Sequence, residues 1–121
     1  MDKLHKRLDV WKISMKLVKR IYLATSEFPK HEAYGLTNQI QRAAVSIPSN
    51  IAEGAARQTK KELINFLHIA QGPLSELDTQ MDISLNLGYL GTAERAGLDE
   101  LLVRVDKMLT AFIRSQKTKP P

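Results

Sequence analysis

Histidine and carboxylate side chains, which most often carry acid–base and metal chemistry, are scattered along this chain. His5, His31 and His68 lie in separate regions, and the residues three positions before His31 and His68 are Phe28 and Asn65. A di-iron helix bundle needs a Glu-x-x-His pair on facing helices. The sequence therefore excludes that pattern.

Two further carboxylates, Asp78 and Asp82, are four residues apart and would share one helix face, but no third ligand accompanies them. The sequence also lacks a phosphate-binding P-loop, a glycine-rich dinucleotide turn and a His-Glu-x-x-His zinc motif. Because the chain has no cysteine, thiol nucleophiles, thiolate metal sites and disulfides are excluded. We predict no catalytic residue, no metal site, no cofactor and no enzymatic activity.

Basic side chains form the more promising group, in a chain with a net charge of +5. Lys12, Lys16, Lys19 and Arg20 follow one another at spacings of four, three and one residues, so they project together from a helix. Such a row suits phosphate contacts, which need positive charge within reach rather than base-reading geometry. The predicted nucleic-acid-binding residues are these four and four that would extend the row around the next helix and turn: Arg42, Arg57, Lys60 and Lys61.

Charge is segregated along the chain. Residues 1–61 carry 12 Lys/Arg against 5 Asp/Glu, whereas residues 62–106 carry 2 against 8. Two interpretations compete: the basic part faces a polyanion, or it faces the acidic part across a helix or subunit interface, for example Glu76, Asp78 and Asp82 of a neighbouring subunit. No aromatic side chain interleaves with these cations, so stacking of single-stranded bases is not predicted. Trp11 is predicted to be a packing anchor.

Apolar residues recur with helical spacing throughout, and no stretch has the period of two that a half-buried strand needs. The predicted helices cover about residues 9–26, 34–54, 59–87 and 92–114. Asp9 is a predicted N-cap, Thr59 and Glu62 form a predicted capping box, and Gly72-Pro73 predicts a kink. Short connections make neighbouring helices antiparallel, which predicts an all-α, up-down-up-down four-helix bundle. We expect one domain over residues 1–121, ordered from about 8 to 114, with a flexible N-terminus and a disordered tail.

The most informative segment, residues 39–54, keeps helical periodicity straight through Pro48, which lacks an N–H and would collide with the carbonyl of Ala44. This predicts a bent second helix. Side chains near the bend can satisfy the backbone groups that the proline leaves unpaired, and a glycine can close a helix in a left-handed conformation. We assign structural roles to four residues of this segment: Pro48, Asn50 for backbone repair, Glu53 for pairing with a cation such as Arg42 or Arg57, and Gly54 as the helix stop.

Several short motifs follow one another along the chain. They are Leu8-Asp9-Val10-Trp11, Phe28-Pro29, Tyr34-Gly35-Leu36, Gln39-Ile40, Arg42-Ala43-Ala44-Val45-Ser46-Ile47-Pro48, Asn50-Ile51-Ala52-Glu53-Gly54 and Leu87-Gly88-Tyr89. Taken in this order, the motifs resemble the four-helix-bundle family also called the 23S rRNA intervening-sequence proteins. The likeness covers about residues 4–113. One departure is Pro73, where members of that family often have serine.

The resemblance implies a bundle that assembles into a ring, commonly a pentamer, with a basic surface that contacts nucleic acid. Similar proteins are encoded within rRNA gene insertions, or accompany diversity-generating retroelements, where they partner a reverse transcriptase and RNA. We expect a non-catalytic oligomeric scaffold in the cytoplasm, without a membrane partner, that binds RNA or DNA through a basic helix face. The alternative is a protein-interaction ring that binds an acidic protein partner and no nucleic acid.

Overall fold

A computed structural model describes residues 3–120, and these residues form four α-helices and no strand. The helices are α1, Asp9–Thr25, α2, Leu36–Ala55, α3, Lys60–Asn86, and α4, Thr92–Thr118. Two short 3-10 helices, Leu4–Arg7 and Lys30–Glu32, precede α1 and α2. The predicted all-α fold is confirmed.

The helices form a square, antiparallel bundle. Each helix packs against two neighbours: α1 against α2 and α4, and α3 against α2 and α4. Within residues 3–120 the diagonal pairs, α1 with α3 and α2 with α4, do not approach each other closely. The Gln41 amide near the start of α2 donates to the Thr25 hydroxyl at the end of α1, at 3.1 Å. At the other end of the bundle, the Lys60 ammonium at the start of α3 donates to the backbone carbonyl of Lys119, which follows α4. These contacts confirm the up-down-up-down topology.

The core consists of the apolar stripes of all four helices. Most of the apolar residues with helical spacing are buried, whereas Val18, Leu63, Phe66, Leu85 and Phe112 are half-buried. Ser14 is also buried. Its hydroxyl donates a hydrogen bond to the Trp11 carbonyl at 2.7 Å, so this buried polar group has a partner. Fully buried large side chains include Leu17, Ile21, Ile40, Ile47, Ile51, Leu67, Leu77, Met81, Leu98 and Leu109.

Helix α2 continues without interruption through Pro48, which is itself buried. Polar side chains cluster in the turn around it. The Ser46 and Ser49 hydroxyls donate to the carbonyls of Ala43 and Val45, both at 2.7 Å, and the Asn50 amide donates to the Ser46 carbonyl at 2.8 Å. None of these three bonds reaches the Ala44 carbonyl, so the side chains support the surrounding turn rather than the group that the proline frees. The bends at Pro48 and Pro73 stay predictions.

Gly54 does not end α2, because the helix runs one residue further and is capped by Ala56 at a φ of −83°. Among the described residues, Gly88 alone has a positive φ. The predicted left-handed stop at Gly54 is therefore wrong. A Cβ built on Gly54 would lie 2.9 Å from the Cβ of Phe66, so the absence of a side chain lets α2 and α3 pack closely.

Apart from Gly54, the helix ends follow the sequence signals with two exceptions. The Thr59 hydroxyl accepts from the Glu62 backbone N–H at 3.1 Å, which confirms the N-cap of α3. Asp9 is the first residue of α1 and not its N-cap, which is Leu8. The helix α4 continues to Thr118, so the backbone of residues 115–118 is helical where we expected a disordered tail. Of the expected flexible ends, Met1, Asp2 and Pro121 lie outside the described residues.

At the end of the bundle opposite Lys60, the α1–α2 connection contacts the α3–α4 connection. Glu32 accepts from the Leu36 N–H at 3.3 Å, and its other oxygen accepts from the Tyr89 hydroxyl at 3.1 Å. The Tyr89 ring also packs against Phe28, with 5.5 Å between ring centroids. Desolvation of the phenol, followed by the hydrogen bond and charge of Glu32, raises the pKa of Tyr89.

Candidate nucleic-acid interface

The outer face of α1 carries three of the predicted cations. Lys12, Lys16 and Lys19 are exposed, opposite the face that buries Leu17 and Ile21. In residues 3–120 none of the three forms an ion pair. These lysines are therefore available to an external anion.

Arg20 lies at the edge of this face, toward α4. Its guanidinium nitrogen is 3.3 Å from the position that a Cβ would take on Gly97. The predicted row of four is thus three outward lysines and one arginine that borders the next helix.

Two other predicted cations are engaged within the chain. Arg57 forms an ion pair with Glu53 at 2.6 Å, and its guanidinium lies 4.8 Å from the centre of the Phe66 ring. Arg57 is one of the two partners predicted for Glu53. Lys60 is half-buried and donates to the Lys119 carbonyl, whereas Lys61 is exposed.

Arg42 is exposed but lies far from Arg57, Lys60 and Lys61. Arg42 lies in the first half of α2 and Arg57 lies just after the end of that helix. The 15 residues between their positions correspond to roughly 20 Å along the helix axis. Arg42 lines a polar cleft between α2 and α3 together with Glu76 and Gln80. The eight predicted residues therefore do not form one continuous surface.

Folding brings additional cations, which the spacing along the chain does not reveal, beside the α2–α3 connection. The N-terminal turn and the last turns of α4 reach the same end of the bundle, because the helices alternate in direction. All of the added side chains are exposed. They are Lys3, Lys6, Arg114, Lys117 and Lys119. Counting charges after assigning an antiparallel bundle would have found them.

The result is a bundle with two electrostatically different halves. We define the basic half as residues 3–16, 49–72 and 104–120, which hold 13 Lys/Arg and 4 Asp/Glu, a net charge of +9. The acidic half, residues 17–48 and 73–103, holds 5 Lys/Arg and 8 Asp/Glu, a net charge of −3. Positive potential is therefore concentrated at one end.

Three of the eight acidic residues of the other half contact Arg95. Its guanidinium contacts Asp78 at 2.6 Å, Asp82 at 2.9 Å and Asp99 at 3.7 Å. Burial lowers the pKa of Arg95, but hydrogen bonds and charge from Asp78 and Asp82 outweigh that effect and raise it. Asp78 and Asp82 thus already have a cationic partner within their own chain, which weakens the interpretation that they pair with α1 of a neighbour.

An apolar groove of about 340 Å³ lies between α1 and α2, next to the outward lysines. Met15 and Val45 are 42% and 40% exposed in it. Trp11 is half-buried at one end, where His5 packs edge-on against its ring at 5.2 Å. We define the apolar groove as Trp11, Met15, Val18, Val45, Pro48, Ser49 and Ala52.

Neither a metal-binding group nor a membrane-spanning helix is found in the described part of the chain. No three His, Cys, Asp or Glu side chains converge there on a point that could hold a metal ion. No helix there is long and apolar enough to cross a membrane. His68 contacts Gln71 at 3.0 Å, on the exposed side of α3.

Comparison with known proteins gives a family and a fold. A protein of unknown function from the S23 ribosomal protein family of Bacteroides thetaiotaomicron has a solved structure that matches with a TM-score of 0.79. The two chains are 23% identical, and the match covers 87% of this chain and 95% of that one, which shows a shared fold. No curated protein matches the chain. The family model described as 23S rRNA-intervening sequence protein matches residues 6–111, and the chain belongs to this family.

Proposed function

We propose that this protein is a non-catalytic, oligomeric scaffold that binds the phosphate backbone of RNA or DNA in the cytoplasm. The observation that carries the proposal is the division of charge, +9 in the basic half against −3 in the acidic half. A polyanion is the partner that such a surface attracts, and phosphate contacts need no fixed geometry. The name of the family, 23S rRNA-intervening sequence protein, is consistent with a nucleic-acid partner.

The proposed surface is larger than the face of α1 and includes the basic end. Lys12 and Lys16 supply one flank, which Lys19 extends into the acidic half. Lys61 and Lys117 lie at the basic end, where exposed lysines are free to follow a flexible backbone. Arg57 and Lys60 also belong to the proposed surface, but they differ from the exposed lysines because bonds within the chain fix their positions. Arg42 is left out of this surface.

We also propose that the chain assembles with copies of itself through the apolar groove. The outer face of α3 offers a complementary ridge, on which Ile69 and Ile83 are 47% and 41% exposed and flank Glu76 at seven-residue intervals. Lysines beside the groove would meet the carboxylate on the ridge. Since groove and ridge are different surfaces of one chain, repeated contacts build a closed ring or an open filament.

A second candidate function, binding of an acidic protein partner, rests on the same groove. An amphipathic acidic helix from another protein, such as a reverse transcriptase, would fit an apolar floor with a lysine border. The charge of the basic end favours nucleic acid, because most of its cations lie outside the groove.

Binding of single-stranded and double-stranded RNA across a salt series tests the proposed function. In the variants Lys16→Ala and Lys61→Ala, we expect weaker binding, and a salt slope that is smaller by about 0.7 for each phosphate of a single strand that the variant no longer neutralises. Lys30→Ala is the matched control, since Lys30 is an exposed lysine of the acidic half and should change neither quantity. Unaltered affinity and slope in the first two variants, or no RNA binding by the unaltered protein, would overturn the proposal.

A further inference from the structure

A pocket of about 410 Å³ opens at the basic end, between the N-terminal turn, the α2–α3 connection and the last turns of α4. Its volume lies within the range of roughly 300–1,000 Å³ that small-molecule sites occupy. The floor is apolar and consists of the half-buried side chains of Leu8, Leu63 and Phe112. Ligand sites of this size are lined mainly by apolar side chains with a few polar groups.

Cations surround this floor. Arg57, Lys60 and Lys119 line the pocket, and two of them are held in place. Arg57 is fixed between Glu53 and the Phe66 ring, and Lys60 is fixed by the Lys119 carbonyl. An anion bound at this rim would meet charges that are already oriented.

Amide side chains complete the lining. Gln58 and Gln116 both line the pocket, and each amide offers a donor and an acceptor. The pocket therefore presents a flat ring, Phe112, groups for in-plane hydrogen bonds, and a positive rim. A ligand with a flat apolar face, polar edges and an attached anion matches all three features.

We propose that this pocket holds one unstacked base of a single-stranded nucleic acid, with the base against Phe112 and its phosphates at Arg57 and Lys60. The inference rests on the proposed function and deepens it, since it names the form of nucleic acid and the position of one base. Base–aromatic stacking contributes about 1–3 kcal/mol per base and tolerates any sequence. A duplex cannot supply the base without unpairing it, so single strands are favoured.

Exposed lysines near the pocket give the strand a path on either side. Lys61 follows Lys60 on the first turn of α3, and Lys117 precedes Lys119 at the end of α4. Stacking is not predicted from the sequence alone, because no aromatic residue lies among the cations along the chain. Folding brings Phe112 of α4 and the cations of the α2–α3 connection to the same pocket.

The test compares a short single-stranded RNA with 2-aminopurine at every position, the same strand abasic at every position, and an RNA duplex of the same length. For the unaltered protein we expect 2-aminopurine fluorescence to rise on binding, because the bound base leaves the stack with its neighbours that quenches it, and the abasic strand to bind about 5- to 150-fold more weakly. The variant Phe112→Leu keeps an apolar side chain but loses the aromatic ring. We expect its affinity for the intact strand to fall by the same factor as the abasic substitution causes in the unaltered protein. Its affinity for duplex should change little, and its salt slope should be unchanged.

Met108→Leu is the matched control, since Met108 is a half-buried residue of the same helix that does not line the pocket. It should bind like the unaltered protein. Equal binding of intact and abasic strands, or unchanged affinity and an unchanged rise in fluorescence in Phe112→Leu, would overturn the inference while leaving phosphate binding intact. Failure of the unaltered protein to bind any RNA would instead overturn the proposed function, so the two failures are distinguishable. The abasic comparison needs no variant and holds even if Phe112→Leu unfolds.

Discussion

Gly54 shows how one residue controls the approach of two helices. The space that a Cβ would need is taken by the Cβ of Phe66 at 2.9 Å and by Leu63, whose backbone oxygen is 3.2 Å away. These are atoms close to the backbone of α3, so they cannot rotate aside. Relief would require α2 and α3 to separate, and both contribute large fully buried side chains to the core.

We therefore expect Gly54→Ala to lower the free energy of unfolding by about 1–2 kcal/mol. Overpacking typically costs about 1–3 kcal/mol, and better helix propensity returns up to about 1 kcal/mol of it. Urea denaturation followed by circular dichroism measures the change.

Gly97→Ala is the matched control for this prediction, since Gly97 is also a helical glycine. Its new Cβ would meet only the mobile end of Arg20, so we expect a gain of about 0.5–1 kcal/mol. If both variants were stabilised, close packing would not be the reason for glycine at position 54.

At the scale of the element, Arg95 fastens the start of α4 to the end of α3. The side chain is 11% exposed, while the carboxylates of Asp78, Asp82 and Asp99 are 56–60% exposed. Its Nη1 atom is buried and makes no hydrogen bond within the described residues, so the contact with Asp99 is electrostatic. Solvent around the carboxylates limits the contribution of each pair to roughly 0.2–1 kcal/mol.

Replacement of Arg95 by glutamine should lower the free energy of unfolding by about 1–2 kcal/mol at low salt, because three carboxylates lose their common cation. The difference from the unaltered protein should shrink as salt screens these charges. Arg104→Gln is the control, since Arg104 is exposed on the same helix and forms no ion pair in the described part of the chain. Thermal unfolding in a salt series measures both variants. An effect of Arg95→Gln equal to that of Arg104→Gln would contradict the fastening role.

At the scale of the whole molecule, the apolar groove and the α3 ridge lie on different faces and leave apolar side chains in water in an isolated chain. Burial of such surface is the main driving force for association. The lysines that border the groove would orient the approach of the ridge and its glutamate.

Met15→Glu and Val45→Glu should therefore convert the proposed assembly to monomer, since each variant buries a carboxylate in the proposed interface. Light scattering coupled to size-exclusion chromatography measures the mass of the assembly. Leu23→Glu provides the control, because Leu23 is 61% exposed on α1 but does not line the groove. Dissociation by Leu23→Glu alone, or a monomeric unaltered protein at high concentration, would argue against assembly through this groove.

Much of the fold could be predicted from the sequence, because local rules act within one helix. Periodic apolar residues located all four helices, and the Thr59 cap marks the start of α3 within one residue. Two helix ends differ from the prediction for different reasons. Gly54 carries the sequence signal of a helix stop, but the reason for glycine there is its contact with Phe66 on another helix. Residues 115–118 are polar and lack the apolar spacing that predicts a helix, yet they continue α4, because a helix is readily extended once its earlier turns are packed.

Sequence by itself determined the helical architecture, the buried stripes, the family and the excess of positive charge, since these depend on residue type and spacing along one chain. Tertiary structure alone decided which charges meet. In the folded chain, cations from both termini and the α2–α3 connection lie at one end of the bundle. Asp78 and Asp82 form ion pairs with Arg95, and Phe112 lines a pocket together with cations. The physical reason is that electrostatic and stacking interactions act over a few ångströms in space, whereas the chain separates these residues by whole helices.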